Sequence, residues 1–599
     1  MFHPDDVARL RALVENHLHL ALPRQLTVEK APGLHIRFAE GAAHIAAEDR
    51  SALTRGLFLL GCAIADGKYS LTIDQQRHIA SCGVMLDCSR NAVPTLAGAK
   101  RFLDRLALAG LNLLLLYTED TYEVPSQPYL GYLRGRFTQA ELRELDDYAA
   151  SLDIELMPCI QTLGHMTQFL QWNANADFRD RTDILLAGEE KVYQFLRDAI
   201  TSLRSCLRCK RIHIGMDEAH DVGLGRYREL HGNQDRTEIL RRHLERVVAI
   251  CQDNDFRPIM WSDMFFRLGS PSGAYFDRSI IISDELAASL PAVDMCYWDY
   301  YHTDEDFYDH MLTQHEKMGR TTFGGGIWTW SGFLPHAKRT AATMRPALRM
   351  CARRHVDTVF ATMWGDDGAE TNAFLALNQL PLFSESCWQG PDCSDEDIAR
   401  LGEKLTGVPH EAFTAFSEWY PNHREVCTGK AYIWADPLYP LTNDGYETPD
   451  EALPRFAAAE AILSRYDQLE TNYARQLFHL AQLKGALIRD LRPAYLAGDR
   501  EYLRRVAEEI IPDLMDQYHR MQKLHRDLWE RDMRRNGWEV LCLRYGGQIA
   551  RLEDVQDELR RYLKGEIPAI VELDEEPLNT GRIWGQHYAS FAMPGRNDW

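Results

Sequence analysis

The sequence predicts an α/β fold built around a (β/α)8 (TIM) barrel. Between residues 83 and 364, short apolar runs typical of buried strands alternate with amphipathic helical stretches. The predicted strands are 83–88, 112–117, 154–160, 211–216, 258–263, 294–299, 322–328 and 358–364. The alternative, an open doubly wound sheet, would place a glycine-rich phosphate turn after its first strand, and Cys88-Ser89-Arg90-Asn91 offers none.

We expect three domains in the 599 residues. Residues 1–78 form a small α/β unit, residues 79–388 the barrel, and residues 389–599 a mainly α-helical domain. Within the first unit, helical patterns at 6–20 and 49–65 flank alternating runs at 34–38 and 43–45. Within the last, we expect two short helices at 395–419, a loop at 432–446 and long helices at 449–566.

The helical pattern of the last domain is interrupted at 536–539 and 544–547, which indicates a turn near the barrel mouth. The helical domain would otherwise pack against the barrel, or against a second subunit in a homodimer. Its sequence carries no chemistry of its own that we can identify.

Composition and charge exclude several classes of function. The chain is 45% hydrophobic and 26% charged, as in soluble globular proteins, and its net charge of −21 argues against nucleic acid or an anionic membrane as partner. No apolar run is long enough to span a membrane, and the N-terminus lacks a signal-peptide pattern. The 13 scattered cysteines predict reduced thiols and a cytoplasmic protein. The pair Cys206 and Cys209 lacks the second half of a zinc site.

Polar and aromatic residues stand at the carboxyl end of every predicted barrel strand, where barrels of this kind carry their functional groups. They are Asp87 and Arg90; Glu119 and Asp120; Gly164 and His165; Asp217 and Glu218; Trp261 and Asp263; Trp298, Asp299 and Tyr300; Trp328 and Trp330; and Trp364, Asp366 and Asp367. Because these strand ends meet at one face of the barrel, the sequence predicts a functional site there.

The adjacent carboxylates Asp217 and Glu218 are the centre of this predicted site. Residues 211–216 alternate as a strand, so the pair arrives where a buried strand ends. Two neighbouring carboxyl groups removed from water titrate apart, so that one stays ionised while the other keeps a proton. That division suits the acid-assisted cleavage of an acetal.

Five tryptophans at or near strand ends favour a pocket over a packed core. Aromatic faces pack against the C–H faces of sugar rings and exclude water from a reacting centre. Arg90, Asp366 and Asp367 would then supply strong hydrogen bonds to sugar hydroxyls. The tryptophans are Trp261, Trp298, Trp328, Trp330 and Trp364.

A metal-dependent barrel hydrolase is an alternative interpretation of the same strand ends. His165, His213, Asp217, Glu218 and His220 could ligate a divalent ion that activates water. His213, however, lies inside its strand, and no paired histidines stand at the end of the first strand. We therefore expect no metal and no cofactor.

The sequence resembles family 20 of the glycoside hydrolases, the β-N-acetylhexosaminidases, from about residue 30 to residue 385. His213-Ile214-Gly215-Met216-Asp217-Glu218 is similar to the family signature His-x-Gly-x-Asp-Glu. The run 83–90 resembles the first barrel strand, whose arginine holds sugar hydroxyls, and Gly164-His165 resembles the turn after the third. Trp261-Ser262-Asp263 is similar to the fifth strand, and Trp364-Gly365-Asp366 to a Trp-x-Glu with Asp for Glu. Departures from the family pattern, such as this Asp in place of Glu, indicate a divergent, bacterial-type branch.

The resemblance implies substrate-assisted catalysis, in which the 2-acetamido oxygen of the substrate attacks the anomeric carbon and gives an oxazolinium intermediate. It implies that Asp217 orients the acetamido nitrogen and that Glu218 protonates the leaving oxygen and then activates water. A family tyrosine donates to the acetamido oxygen, but Trp328-Thr329-Trp330 replaces the usual Tyr-x-Asp of the seventh strand. Tyr300 is our candidate for this donor, and Tyr297 is the second choice.

Together these features predict an exo-acting, retaining β-N-acetylhexosaminidase for oligosaccharides or glycoconjugate fragments. Its catalytic residues would be Asp217, Glu218 and Tyr300. A carbohydrate-binding protein that has lost catalysis is the non-enzyme alternative, and the intact acidic pair with Arg90 argues against it. The substrate would contact Arg90, His165, Trp261, Trp298, Trp328, Trp330, Trp364 and Asp366.

Overall fold

The computed structural model describes residues 2–421, 428–441, 447–578 and 587–593. Its first unit is a four-stranded sheet with two helices, in which the strands lie in the order β1-β3-β2-β4. Strand β1 pairs with β3 in parallel, whereas β2 pairs antiparallel with β3 and β4. The elements are α1 (Pro4–Leu18), β1 (Gln25–Lys30), β2 (Leu34–Ala39), β3 (Ala42–Ala47), α2 (Arg50–Ala65) and β4 (Ser70–Gln75).

The two edge strands of this sheet, β1 and β4, were not predicted from the sequence. Their side chains are exposed or only partly buried along the whole strand. Each has only two apolar residues that alternate with polar ones, Leu26 and Val28 in β1 and Leu71 and Ile73 in β4, and so short a pattern does not identify a strand. The central strands β2 and β3, which were predicted, bury apolar side chains against α2.

Eight parallel strands then close into a barrel, which confirms the predicted fold class. Each strand pairs with its neighbour in sequence, and β12 closes the barrel on β5. The strands are β5 (Ser81–Asp87), β6 (Leu113–Tyr117), β7 (Glu155–Cys159), β8 (Arg211–His213), β9 (Arg257–Trp261), β10 (Asp294–Trp298), β11 (Thr321–Gly326) and β12 (Thr358–Met363).

Helices surround the barrel and connect its strands. They are α3 (Leu96–Ala109), α4 (Gln139–Ser151), α5 (Thr167–Leu170), α6 (Glu190–Arg204), α7 (Arg226–His231), α8 (Arg236–Asp253), α9 (Asp263–Arg267), α10 (Asp284–Ser289), α11 (Glu305–Met318), α12 (Ala337–Arg353), α13 (Asp366–Ala369) and α14 (Leu380–Trp388). Threonine side chains cap two of them, Thr95 before α3 and Thr138 before α4.

Aromatic rings fill the barrel interior beneath its carboxyl end. The ring centroid of Trp261 lies 4.3 Å from that of His213 and 5.9 Å from that of Phe360. Gly324 makes room for this stack, because a Cβ at that position would lie 2.9 Å from the Trp261 ring. The interior is therefore a packed core that supports the barrel mouth from below.

The third unit is helical. It contains α15 (Asp395–Thr406), α16 (His410–Phe416), α17 (Thr428–Trp434), α18 (Pro449–Leu463), α19 (Leu469–Leu496), α20 (Arg500–Arg505), α21 (Ile511–Asp532), α22 (Trp538–Lys564), α23 (Val571–Asp574) and α24 (Tyr588–Ala592). A π-helical turn, Val506–Ile510, joins α20 to α21. In the described parts of the chain, no helix is both long enough and apolar enough to cross a membrane.

One expectation for this domain holds in part and another is wrong. The predicted loop at 432–446 starts three residues late, because Tyr432, Ile433 and Trp434 form the buried end of α17; residues 435–441 contain no helix or strand, as expected, and residues 442–446 lie outside the described residues. The predicted interruption at 544–547 lies within α22. Nothing lies within 4 Å of the position that a Cβ of Gly546 would occupy, so the helix continues there on its exposed side at a small cost in propensity.

The turn between α21 and α22 lies at the carboxyl end of the barrel, as expected. The backbone nitrogen of Arg534 donates to Val93 O at 2.8 Å, and the Asn536 side chain donates to Leu133 O at 2.8 Å. Gly537 has a φ of 92° and lies so close to Asn91 that a Cβ would come within 2.5 Å of it. The helical domain thus contacts the loops that follow β5 and β6.

A buried ion pair joins the first unit to the barrel, and its loss should destabilise the protein. The Arg55 guanidinium donates to both carboxylate oxygens of Glu385, at 2.7 and 2.9 Å, and neither side chain is more than 1% exposed. We expect Arg55→Met to cost about 3–5 kcal/mol, because it leaves the Glu385 charge buried without a partner. Unfolding followed by circular dichroism in a urea series would measure it.

The more exposed pair Arg400–Asp66 provides the control for this experiment. Arg400→Met should cost less than about 1 kcal/mol, since water screens that pair. The double variant Arg55→Met/Glu385→Met should recover most of the lost stability. Equal losses for Arg55→Met and Arg400→Met would contradict the assignment.

Candidate active site

The carboxyl ends of the barrel strands surround an open cavity of about 510 Å³. The structure brings every predicted site residue except Trp328 and Asp367 to its wall, and it adds Tyr301. The lining residues are Arg90, His165, Asp217, Glu218, Trp261, Trp298, Tyr300, Tyr301, Trp330, Trp364 and Asp366.

The strand that carries the two carboxylates is shorter than predicted, because β8 ends at His213. Gly215, Met216 and Glu218 then adopt φ values of 70°, 73° and 50°. Residues with a side chain avoid this left-handed region, so contacts must hold the backbone there. The turn separates the two carboxylates, since the Asp217 side chain is 10% exposed and that of Glu218 is 33% exposed.

Side chains of the two neighbouring strand ends hold this turn. The Gln161 amide oxygen accepts from Met216 N at 3.1 Å, and its nitrogen donates to Asp217 at 2.6 Å. On the other side, Asp263 accepts from Glu218 N at 3.1 Å. Burial, together with the nearby charge of Asp217, raises the pKa of Asp263 far above its usual range, so this carboxyl keeps its proton more readily than an exposed one.

His165 bridges the two carboxylates. Its Nε2 lies 3.2 Å from Asp217 Oδ2 and 3.3 Å from Glu218 Oε2. Burial alone would lower the pKa of this imidazole, but the two carboxylates raise it well above the usual 6.5. The two carboxylates therefore favour the protonated form of His165, whose Nε2 lies between them.

Glu218 is the ionised partner in this arrangement. Burial opposes its ionisation, yet the His165 cation and the Tyr275 hydroxyl lower the pKa of Glu218 to about 2. Tyr275 comes from the segment between α9 and α10, and its ring centroid lies 5.1 Å from that of Trp298. When a ligand oxygen that can accept a proton approaches Glu218, a proton can pass from His165 to the Glu218 carboxylate, because His165 and Glu218 are in contact.

Arg90 forms a hydrophilic part of the cavity wall. Its Nη1 lies 2.9 Å from Glu119 Oε1 and 3.6 Å from Asp87 Oδ2. The guanidinium carbon stands 5.4 Å from the Tyr117 ring centroid and 5.5 Å from that of Trp364. Burial opposes its charge, but the neighbouring acids raise the pKa of Arg90. This side thus offers a fixed cation with N–H donors, framed by carboxylates.

Aromatic rings form the remaining wall. The Tyr300 ring stacks on Trp298 at a centroid distance of 5.3 Å and meets Trp330 edge-on at 5.0 Å. Its hydroxyl oxygen accepts a hydrogen bond from Trp364 Nε1 at 3.1 Å. Because that bond uses a lone pair, the O–H proton of Tyr300 is available for donation to a ligand.

Two aromatic residues considered from the sequence do not face the cavity. Trp328 lies behind the wall, where its indole N–H donates to Tyr300 O at 3.1 Å and its ring stacks on Trp330 at 4.3 Å. It therefore supports the wall rather than lining it. Tyr297 points to the other side of β10, as alternate strand residues do, and its hydroxyl donates to Asp299 at 2.7 Å. Tyr300 is the one of the two tyrosines that reaches the cavity.

The loop that carries Asp366 has an unusual backbone. Asp367 and Ala369 each have a φ of 56°, and Gly368 between them has 88°. Asp367 pairs with Lys430 Nζ and with Arg544, both at 2.8 Å. These two cations belong to the helical domain, so that domain contacts the loop that carries Asp366.

Glu370 completes a network of two acids and two cations. It contacts Lys430 and Arg544 at 2.7 Å each and accepts from the Trp434 indole at 2.7 Å. Lys430 is fully buried, so each member depends on the others for its charge balance. The network fixes the loop that brings Asp366 to the cavity, where burial raises the pKa of this carboxyl against the opposing influence of Arg90.

Some residues of the site were missed from the sequence. Gln161 directly follows a predicted strand and precedes His165, so its position was a usable signal. Tyr301 is adjacent to a predicted residue. Tyr275 lies in a segment without a regular element, where no periodicity could have indicated that it contacts Glu218. Lys430 and Arg544 are remote in sequence, and only the fold brings them to the barrel.

Two protein-family profiles match the chain. One, described as "Glycosyl hydrolase family 20, catalytic domain", matches residues 82–282, and the other, "Glycoside Hydrolase 20C C-terminal domain", matches residues 421–585. Hexosaminidase D of Homo sapiens is 25% identical over 257 residues, which cover 41% of this chain and 49% of that protein. Hexosaminidase D of Bos taurus is 25% identical over 235 residues, 37% of this chain and 62% of that protein.

The chain thus spans about half the length of the curated relatives it matches. A solved structure of a β-N-acetylhexosaminidase from Bacteroides fragilis NCTC 9343 aligns with a TM-score of 0.49 and 16% identity. The alignment covers 67% of this chain and 89% of that one.

The shared proton can be tested without reference to any reaction. We expect the His165 imidazole to stay protonated through neutral pH, because the raised pKa keeps its proton until the solution becomes alkaline. Asp217→Asn should lower that pKa, since it removes the carboxylate that acts more strongly on the imidazole. NMR titration of protein labelled with 15N-histidine would measure both, with His165→Gln for assignment.

His213 provides an internal control in the same spectra. Burial lowers its pKa to about 3, so it should remain neutral over the whole titration. A titration of His165 at or below 6.5 in the unaltered protein would contradict the proposed bridge.

Proposed function

Because the chain belongs to glycoside hydrolase family 20, we propose that it hydrolyses terminal, non-reducing β-linked N-acetylhexosamine residues with retention of configuration. The observation that carries the proposal is the placement of Asp217 and Glu218. One carboxylate is sealed into the cavity floor, and its neighbour stands partly open at the mouth. A fixed anion would then lie beneath the bound sugar, and a proton carrier beside its leaving group.

The first chemical step needs one proton and one nucleophile. Glu218, protonated through His165, gives its proton to the glycosidic oxygen as the bond to the anomeric carbon breaks. The acetamido oxygen of the substrate forms the new bond to that carbon, which gives an oxazolinium ion and a free alcohol. Asp217 accepts a hydrogen bond from the acetamido N–H and stabilises the positive charge that develops there.

The second step reverses the roles. Glu218, now ionised, takes a proton from water while the water oxygen attacks the anomeric carbon and the oxazolinium ring opens. Two displacements at one carbon give net retention. Tyr300 donates its O–H to the acetamido oxygen in the first step, which aligns that oxygen for attack. Trp261, Trp298 and Trp364 line the cavity and would exclude bulk water from the reactive ion.

The remaining lining residues suit the recognition of a single terminal sugar. Arg90 and Asp366 stand together on the hydrophilic side, where a guanidinium and a carboxyl can bind sugar hydroxyls as donor and acceptor. The packed aromatic core below closes the cavity at its floor. A closed floor favours removal of an end residue and so supports exo action.

The metal-dependent alternative is less well supported by the positions of its ligands. His213 lies below the cavity, packed against Trp261, and its Nδ1 accepts from Gly215 N at 3.2 Å. Among the described residues, no group of three or more His, Cys, Asp or Glu side chains has the arrangement of a metal site. A binding protein without catalysis would have no need for the His165–Glu218 proton pair. The cytoplasmic location and the homodimer stay predictions.

The acetamide requirement gives the sharpest test of the proposal. We expect 4-nitrophenyl N-acetyl-β-glucosaminide to be cleaved at least about 10³-fold more efficiently than the β-glucoside, which lacks the internal nucleophile whose proximity replaces an external one. The ratio of kcat/KM for the two substrates measures it. Equal values would rule out substrate assistance, and loss of activity with a chelator would favour the metal-dependent alternative.

The role of Glu218 gives a second test. Glu218→Gln should lower kcat by about 10²–10⁴ for a methyl glycoside, whose alcohol needs a proton to leave, and much less for a dinitrophenyl glycoside. In the unaltered enzyme, kcat/KM should persist through neutral pH and fall on the alkaline side, as the proton shared with His165 is lost.

Asp221→Asn is the matched control, because it neutralises a nearby acid whose side chain is 49% exposed. It should leave both rates and the pH profile unchanged. An unchanged rate on the methyl glycoside for Glu218→Gln would refute its role as the acid.

A further inference from the structure

An exposed aromatic cluster stands on the loops that follow β6 and β7. Twelve large apolar side chains are exposed in the described residues, and three of them, Tyr129, Tyr132 and Leu133, lie within five consecutive positions. Scattered exposed apolar residues are ordinary, whereas a cluster marks an interaction surface. The two tyrosines are 41% and 47% exposed, so their rings face water.

Trp172, from the segment between α5 and α6, completes the cluster. Its ring centroid lies 6.2 Å from that of Tyr129 and 5.6 Å from that of Tyr132. Trp172 and Tyr129 are inclined by only 36°, while Tyr132 stands at 76° to Trp172, so the rings form a corner. We call Tyr129, Tyr132 and Trp172 the aromatic platform.

The platform is fixed to the residues that hold Arg90. Gly131, between the two tyrosines, has a φ of 64° and lies so close to Asp120 that a Cβ would come within 2.5 Å of its carbonyl oxygen. Arg134, just beyond, lies 3.0 Å from Asp120, donates to Asn91 at 2.9 Å and also donates to Ser89 O. Asp120 and Ser89 are the chain neighbours of Glu119 and Arg90, so the platform adjoins the cavity rim.

The chain also links the platform to the residues around the proton donor. The segment that leads to Trp172 begins at the end of β7 and includes His165. His165 contacts Glu218, which protonates the leaving group in the proposed reaction. A leaving group that departs past Glu218 would therefore emerge toward the platform.

The polar atoms of the platform suit a neutral sugar. Within the described residues, neither tyrosine hydroxyl nor the Trp172 indole N–H has a hydrogen-bond partner in the protein. Three flat apolar faces that carry free polar groups match a pyranose, which has C–H faces and hydroxyl edges. No charged side chain belongs to the platform itself, so it would give a charged peptide or lipid no specific contact.

We propose that the aromatic platform binds the sugar to which the terminal N-acetylhexosamine is attached, and that the natural substrates are oligosaccharides of at least two units. This inference rests on the proposed function and extends it from the terminal residue to the leaving group. Tyr129, Tyr132 and Trp172 would determine specificity through KM, since they contact a part of the substrate that does not react.

The test compares two substrates on variants of the platform. One is the β-1,4-linked trisaccharide of N-acetylglucosamine, and the other is the methyl β-glycoside, whose aglycone is too small to reach the platform. Trp172→Ala and Tyr132→Ala should raise KM for the trisaccharide by about tenfold, a typical loss for one aromatic contact, without changing kcat/KM for the methyl glycoside. Trp172→Phe should retain most of the affinity, because it keeps an aromatic face.

Tyr69→Ala is the matched control, since Tyr69 is 89% exposed on the first unit of the chain. Tyr69→Ala should leave KM and kcat/KM unchanged for both substrates. If the platform variants lose kcat/KM equally on both substrates, the rings only support the loops. Unchanged kinetics on both would show that no sugar contacts them. Either result overturns the inference.

Failure of the proposed function would be recognised separately. If the unaltered protein cleaves neither substrate, trisaccharide binding can still be measured by titration calorimetry on the same variants. Weaker binding by Trp172→Ala than by Tyr69→Ala would then support the platform without the reaction. Equal binding by the two would reject it.

Discussion

The chemistry of the site depends on how six carboxyl groups share two cations. In the described part of the chain, the acids in or directly behind the cavity wall face Arg90 and His165. Burial raises the pKa of several of these acids, because water no longer stabilises their charges. The same acids favour the protonated form of His165, because their charges raise the pKa of its imidazole. The acids are Asp87, Glu119, Asp217, Glu218, Asp263 and Asp366.

Such a charge arrangement persists only if the backbone cannot relax. Glu218 and Asp367 both sit at positive φ, in loops that neighbouring side chains must hold in place. Asp263 and Gln161 do so within the barrel, whereas the second loop depends on Lys430 and Arg544 of the helical domain. The helical domain is therefore part of the site's construction, although none of its described residues lines the cavity.

Much of this arrangement could be predicted from the sequence, because barrel strands place their last residues at one common face. That rule located His165 and Tyr300 at the cavity without any knowledge of their contacts. It failed for Trp328, since the direction of a side chain beyond a strand end depends on the loop and not on alternation. The partners Lys430 and Arg544 could not be found either, because long-range ion pairs leave no local pattern.

The contacts of Asp217 explain why two adjacent carboxylates need not act as acid and nucleophile. Its Oδ1 accepts from Gln161 at 2.6 Å, and its Oδ2 lies 3.2 Å from His165. A carboxylate bound at both oxygens is a poor nucleophile, since attack would have to break a hydrogen bond and move a buried side chain. It is, however, well placed as a rigid acceptor for an N–H group. In the proposed reaction the bond to the anomeric carbon therefore comes from the substrate, and Asp217 would orient the group that makes it.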